Sequence, residues 1–321
     1  MAEAAWVTQQ LHGQGGQSVG SVIPPGFERY VRILHPATRR GDGRRSLRWN
    51  EVARWGGGII GPSTQFLSLA LNQAVEPGRW PWRSGPLRGS LSAEDAGALV
   101  ELARVGTTTP ESCWFCLWEG YGWLPEKASH QPNFPTAELG PTLGSSLGEV
   151  LAKVEFGGLK YYMYHGDIGQ AAVLAQTSHQ SPNAWWPSDH RWCVVSHPDL
   201  DSTYVGAAIP LSRAISTDGR LESVPVQLTD ETIGRLDGHY TAALERMADS
   251  LLDVGTAKLD TPFGLLEARL GTKSAGLMEV VIVWNRVTGD HSGTATSVGR
   301  EGRRTDIVGL LEQGLIGLVI G

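Results

Sequence analysis

The sequence predicts an α+β protein in which short helices are mixed with a mainly antiparallel sheet around a tryptophan-rich core. Helix-type and strand-type patterns follow one another without the regular strand–helix–strand rhythm of a parallel sheet. Two strand-like segments, 191–196 and 203–209, are separated by six residues, which indicates an antiparallel hairpin. The 321 residues also include 12 Trp, and ten of these lie between Trp49 and Trp192. This clustering favours a shared aromatic core.

The first half of the chain reads as one strand followed by helices. Ser92 is a good N-cap with acidic residues in the turn after it, and Thr109 with Pro110 repeats the same pattern. The predicted elements are a strand at 27–34 and helices at 49–56, 64–74, 92–106, 110–119 and 147–154.

The second half is richer in β-branched and aromatic residues. Its predicted elements are strands at 159–164, 191–196, 203–209 and 278–284, helices at 238–254 and 305–313, and a strand after Gly314. We expect a flexible head at 1–24, a Trp-rich domain at 25–255, and an extension or small subdomain at 256–321.

The composition points to a cytoplasmic chain. The first 27 residues contain neither Lys nor Arg and no long apolar run, so they do not resemble a secretory signal. No apolar stretch reaches 18 residues, which argues against a membrane span. The three Cys cannot all pair with one another, and reduced thiols fit a reducing compartment. The net charge of −6 argues against a general nucleic-acid coat protein.

Two short motifs contain all three cysteines. Cys113 and Cys116 lie three residues apart on the predicted helix 110–119. His190 and Cys193 have the same spacing where the chain enters the predicted strand 191–196. Together they could form a Cys₃His zinc site, or the first pair could form a redox dithiol. Cys is also among the most buried residue types, and we favour core cysteines with no cofactor, zinc being the alternative.

Aromatic and ionisable residues meet around the predicted hairpin. Trp185 and Trp186 could form a platform that stacks a ligand, although we favour a structural role in closing the hairpin. His165 follows a predicted strand, and with Asp167 or Asp189 it could form an acid–base pair. No nucleophile elbow accompanies this pair. Catalytic activity therefore stays an open hypothesis.

An arginine-rich segment gives the chain an uneven charge. Residues 28–88 contain 11 Arg, no Lys and four carboxylates, a local charge of +7 in an acidic chain. Such an asymmetry can attract nucleic acid, phosphate or an acidic protein surface. The contact residues that we expect are Arg39, Arg40, Arg44 and Arg45.

Five segments, 24–28, 48–53, 113–120, 185–192 and 203–206, each contain Pro, Gly, Trp or Cys residues. Together they resemble a group of uncharacterised proteins from GC-rich bacteria. The resemblance covers about residues 22–270 and implies no activity, cofactor or catalytic residue.

These observations lead us to expect a non-enzymatic binding protein with a protein partner. An aromatic and Arg-containing surface is typical of interfaces, and no complete catalytic or cofactor motif is present. The alternatives are a zinc-structured or thiol-dependent enzyme at the Cys/His motifs, and nucleic-acid or anion binding through 28–88. The sequence does not indicate an oligomeric state.

Overall fold

The structure is a computed structural model that describes most of the chain. The described residues are 2–11, 18–41, 46–56, 58–71, 81–121, 150–232, 238–261, 264–273, 277–286, 292–299, 307–311 and 314–315. The chain divides into two compact units, which we describe separately. The first comprises 1–36, 60–63 and 87–233, and the second comprises 37–59, 64–86 and 234–321.

The secondary structure confirms the α+β class. The helices are α1 Ala2–Gln10, α2 Trp49–Gly56, α3 Phe66–Leu71, α4 Ala93–Val105, α5 Gln170–Thr177, α6 Ile209–Thr217 and α7 Gly238–Val254. The strands are β1 Arg29–Leu34, β2 Ala37–Arg39, β3 Ser46–Leu47, β4 Trp82–Ser84, β5 Cys113–Trp118, β6 Ala152–Phe156, β7 Leu159–Gly166, β8 Ala184–Pro187, β9 Trp192–Val195, β10 Ser202–Ala207, β11 Ser223–Val226, β12 Thr256–Thr261, β13 Gly264–Lys273, β14 Leu277–Arg286 and β15 Ser292–Gly299.

An antiparallel sheet of eight strands organises the first unit. Its order is β11-β1-β10-β9-β8-β5-β7-β6, and the predicted hairpin is present as the pair β9 and β10. Each face of the sheet has its own buried core. Helices α4, α5 and α6 contribute Leu99, Leu174 and Leu211 to one face, and α1 contributes Val7 to the other. The sheet is therefore covered on both sides.

The segment around the first two cysteines is a strand and not the predicted helix. On β5, Phe115 packs into the core of α4, α5 and α6, whereas Cys116 packs into the core of α1. A strand buried on both faces reads as a continuous apolar run, which by itself cannot be distinguished from a buried helix. Pairing with β7 and β8 on either side decides the conformation.

The N-terminal segment predicted as a flexible head is packed instead. Val7 of α1 and Val19 and Ile23 of the following segment are all fully buried against the sheet. Trp6 packs edge-on against Trp186 at a centroid distance of 5.7 Å. This helix completes the second core of the first unit.

The second unit contains a small aromatic cluster in its first part. The short strands β3, β2 and β4 form a three-stranded sheet, and α2 contacts α3. Phe66 links Trp49 and Trp82 through edge-on contacts at 5.5 and 5.7 Å. All three rings are fully buried, so the Trp excess is shared between the cores of the two units.

The C-terminal part of the second unit is a four-stranded meander with α7 packed on it. Strands β12 to β15 pair consecutively, and α7 contacts β12 and β13. The helix predicted at 238–254 is confirmed, but it belongs to the same unit as these strands, so the division of the chain differs from the predicted boundary at 255/256.

Two further elements differ from their predictions. Val154, predicted in a helix, lies on β6 and pairs with Tyr161 on β7. Gly314, predicted to precede a strand, is helical, and a Cβ there would lie 2.6 Å from Ile282. Residues 307–311 are helical as expected, whereas 316–321 lie outside the described part of the chain. No helix in the described ranges combines the length and the apolar character needed to cross a bilayer.

Substitution of glycine by alanine should have opposite effects on stability at two positions. Gly89 has φ +68°, and a Cβ there would lie 2.7 Å from the Cα atom of Pro198. Gly89→Ala should therefore destabilise the protein by at least about 2 kcal/mol. Gly97 lies inside α4 with open space around its Cα, and Gly97→Ala should stabilise by about 0.5–1 kcal/mol. Urea unfolding measures both values, and destabilisation by Gly97→Ala or a neutral Gly89→Ala would contradict the packing described.

Candidate functional site

The two ends of the eight-stranded sheet carry polar side chains. At one end, where β1 and β9 finish and β10 begins, His35 is fully buried. Its Nδ1 lies 2.6 Å from the Leu87 carbonyl oxygen, and its Nε2 lies 2.8 Å from the Thr203 hydroxyl. Because a carbonyl only accepts, Nδ1 carries the proton and Nε2 accepts from Thr203. The ring is neutral in this arrangement.

A buried arginine lies at the same end of the sheet. Arg32 donates from Nε to the Ser202 hydroxyl at 2.9 Å and from Nη1 to the Pro62 carbonyl at 2.9 Å. Its Nη2 forms an ion pair with Asp201 at 3.4 Å. Burial lowers the pKa of His35 to about 4, and the Arg32 charge acts in the same direction. These contacts satisfy the buried groups internally, which indicates a structural role.

The opposite end of the sheet holds a cluster of hydroxyl and imidazole groups. Ser112 precedes β5, His165 lies near the end of β7, and Ser188 follows β8. The Ser112 Oγ lies 2.9 Å from the His165 Nε2 and 2.7 Å from the Ser188 Oγ. His165 was predicted from the sequence, whereas neither serine was. The two serines are distant from His165 in sequence and approach it only through strand pairing, so no sequence motif connects the three residues.

The two predicted catalytic acids lie near this cluster but are engaged elsewhere. Arg104 donates to both carboxylate oxygens of Asp167, at 2.7 and 3.2 Å, and these hydrogen bonds lower the Asp167 pKa. Burial opposes ionisation of Asp189, but hydrogen bonds from Thr107 and Thr108 outweigh it and lower the pKa. Neither carboxylate hydrogen-bonds to His165 in the described structure. The predicted acid–base pair is not formed.

The backbone donors beside the serines are also occupied. The Ser112 N–H donates to the Thr109 carbonyl at 3.0 Å, and the Ser188 N–H donates to the Ser112 carbonyl at 2.9 Å. The Asp189 N–H donates to the Thr109 hydroxyl at 3.3 Å. Acyl transfer at a serine needs free donors for the developing oxyanion, and these three amides are not free. The cluster has the nucleophile–base contact of a serine enzyme, but these three amides do not supply an oxyanion site.

The four residues of the predicted zinc site do not converge. Cys113 and Cys116 lie on opposite faces of β5, in separate cores. Cys193 is fully buried in the core of α1, and His190 stacks on Trp6 at 4.6 Å. The described residues contain no group of three or more His, Cys, Asp or Glu side chains able to hold a metal. The zinc site is therefore not formed.

The thiols are also poor nucleophiles. Burial raises the pKa of Cys113 to about 12 and raises those of Cys116 and Cys193 well above their ordinary value. A catalytic or redox cysteine needs the thiolate, which requires a lowered pKa. All three are unpaired core residues.

The predicted tryptophan platform is also not formed. Trp185 and Trp186 are both fully buried, one in each core of the sheet. A ring without exposed surface cannot stack a ligand, so both rings have the structural role that the sequence favoured.

Of the predicted arginine contacts, Arg39 pairs with Glu51 at 2.5 Å and Arg40 is exposed. Arg44 and Arg45 lie outside the described residues.

An apolar groove between α4 and α6 was missed by the sequence analysis. It has a volume of about 310 Å³ and carries Glu101 and Arg220 at its rim. Its apolar lining consists of Leu102, Val105, Pro210, Leu211 and Ala214. Val105 is 88% exposed, although it ends a helix whose other face is buried. An exposed Val at a helix end was the available signal, but isolated exposed apolar residues are common.

Arg220 connects the rim of this groove to two carboxylates. It lies 2.6 Å from Glu101 on α4 and 2.8 Å from Asp218, which follows α6. The Arg220–Glu101 pair joins the segment that follows α6 to α4.

Comparisons of the chain with protein families, with curated proteins and with solved structures give no match.

The buried His35 predicts acid sensitivity of the fold. Its pKa is about 4 when folded and about 6.5 when unfolded. The neutral ring therefore makes its full contribution to the free energy of unfolding above about pH 6.5. This contribution is lost as the pH falls towards 4. Between pH 7 and pH 4.5 the loss should be about 2.5 kcal/mol, measured by urea unfolding.

Substitution at the same position isolates this contribution. His35→Gln should remove about 2.5 kcal/mol of the dependence over that pH window and leave the part due to His190 and His197, whose pKa values burial also lowers. Thr203→Val, which removes the donor to Nε2, should make the dependence shallower. A dependence that persists unchanged in both variants would contradict the assignment to His35.

Proposed function

We propose that the protein is a cytoplasmic, non-enzymatic binding protein that engages a protein partner through the groove between α4 and α6. The groove itself is the observation that supports this proposal. It exposes Val105 beside an apolar floor formed by Leu211. Buried anchors in apolar pockets account for most of the binding energy at interfaces.

The size of the groove favours a side-chain anchor over a small-molecule ligand. Small-molecule sites usually enclose about 300–1,000 Å³, and they bury most of the ligand surface. The groove, at about 310 Å³, is at the lower end of this range and is partly open to solvent. It can accept one or two bulky apolar side chains of a partner.

The charge of the first unit indicates the chemistry around the anchor. Its residues include 10 Lys or Arg and 19 Asp or Glu, a formal charge of −9. At the groove, Arg220 is shared between two carboxylates, and Glu101 remains 67% exposed. Charge complementarity therefore favours a partner with Lys or Arg beside its apolar anchor.

The polar and thiol groups of the first unit support a non-enzymatic role. The Asp167 and Asp189 carboxylates are used in local hydrogen bonds, and the serine–histidine cluster has its neighbouring amides occupied. Three unpaired buried thiols fit a reducing compartment. Binding at the groove requires none of these groups.

A peptide selection tests the proposal with a defined probe. A displayed peptide library is selected on the wild type, and selected peptides are measured by fluorescence anisotropy. We expect peptides with bulky apolar residues flanked by Lys or Arg. Val105→Arg places bulk and positive charge at the groove and should weaken their binding by at least about tenfold.

The matched control is Val173→Arg on α5, where Val173 is 39% exposed outside the groove. This variant carries the same change in charge and should bind as the wild type does. Peptides that bind Val105→Arg and wild type equally well, or a selection that enriches none, would refute the proposal.

A further inference from the structure

The small sheet of the second unit carries a row of three hydroxyl groups. Thr38 on the central strand β2 pairs directly with Ser46 on β3 and with Ser84 on β4. Directly paired residues of antiparallel strands project from the same face, with Cβ atoms about 4.5–5.5 Å apart. Ser46 is exposed, and Thr38 and Ser84 are half-buried. The row therefore crosses the sheet on a face that solvent reaches.

A β-bulge places an arginine beside this row. Thr38 pairs with Ser84, but the next residue, Arg39, pairs with Trp82, which leaves Arg83 without a residue opposite. Bulges often redirect a side chain at functional sites. Arg83 is exposed, and no carboxylate of the described residues pairs with it. Its guanidinium remains available to a ligand.

The surrounding segments carry a surplus of positive charge. Residues 37–59 and 64–86 contain eight Arg and three carboxylates. One of these carboxylates, Glu51, is paired with Arg39. That pair is neutral, so the other residues of the two segments still include seven Arg and only two carboxylates. A surface of one sign attracts ligands of the opposite sign.

We propose that the outer face of the β3-β2-β4 sheet binds phosphate groups through the hydroxyl row and Arg83. Hydroxyl groups donate single hydrogen bonds to phosphate oxygens, and a guanidinium donates two in a planar fork. The ligand is a phosphate-bearing molecule, either a nucleic-acid backbone or a small phosphorylated compound. This site is independent of the groove in the first unit and does not rest on the function proposed for it.

Two probes distinguish the sources of phosphate. A labelled single-stranded oligonucleotide is titrated with the full chain at several salt concentrations, and inorganic phosphate is titrated separately by calorimetry. Arg83→Gln should weaken oligonucleotide binding by about tenfold and reduce the salt slope by about 0.7. Thr38→Val, nearly isosteric, should weaken binding without changing that slope, because it removes a hydrogen bond and no charge.

Arg213→Gln is the matched control, since it removes an exposed Arg charge from α6 in the first unit. Binding of phosphate alone, lost in Arg83→Gln, would support the site with a small ligand. Equal effects of Arg83→Gln and Arg213→Gln would show attraction by net charge only and overturn the proposal. Absence of binding by both probes would also overturn it. Near-ultraviolet circular dichroism of the Trp cluster confirms that each variant is folded.

Discussion

The structure of the first unit depends on burial of its central sheet on both faces. Strand β5 shows the constraint most clearly, since its side chains alternate between the core of α4, α5 and α6 and the core of α1. This packing fully buries all three cysteines and three tryptophan rings, those of Trp185, Trp186 and Trp192. Because both faces are covered, a ligand cannot bind on the faces of the sheet itself.

At both ends of the sheet, most of the polar side chains hydrogen-bond to neighbouring residues. At one end, Arg32 hydrogen-bonds to Ser202 and pairs with Asp201, and His35 hydrogen-bonds to Thr203. These contacts avoid the free-energy cost of burying polar groups without hydrogen-bond partners. At the other end, the carboxylates serve as acceptors for neighbouring Arg and Thr side chains. On the outer side of the helical layer, α4 and α6 leave apolar surface in contact with water. The proposed binding site rests on this exposed apolar surface and on the shape of the groove.

Much of the fold could be predicted from local patterns. Ser92 accepts a hydrogen bond from the Asp95 N–H, so the N-cap of α4 was readable from the sequence, and so was the hairpin of β9 and β10. Two of the failures share one cause. β5 was predicted as helical from the capping pattern of Thr109 and Pro110, and the start of β6 was predicted as helical from apolar residues at helical spacing, whereas pairing with β7 decides the conformation of both. Such long-range pairing is not visible in one sequence.

The candidate sites were harder to predict than the fold. The Cys113 and Cys116 spacing suggested one shared face only because a helix was expected; on a strand the same spacing places the thiols on opposite faces. His165 was identified, but its partner Ser112 is brought to it by the β5 and β7 pairing. The groove depends on the approach of α4 and α6, where Leu211 lies so close to Gly106 that a Cβ there would be 2.8 Å away. No sequence motif encodes that approach.

The most direct test of this account is a methyl-resolved nuclear magnetic resonance titration of the labelled full chain with a peptide selected on the wild type. If the groove is the binding surface, shifts are concentrated at Leu102, Val105 and Leu211, and those of Val173 and the second unit's Leu252 do not change. Shifts centred on Val173, Leu151 or Leu252, with Val105 unaffected, would contradict the assignment of the α4 and α6 groove as the binding surface.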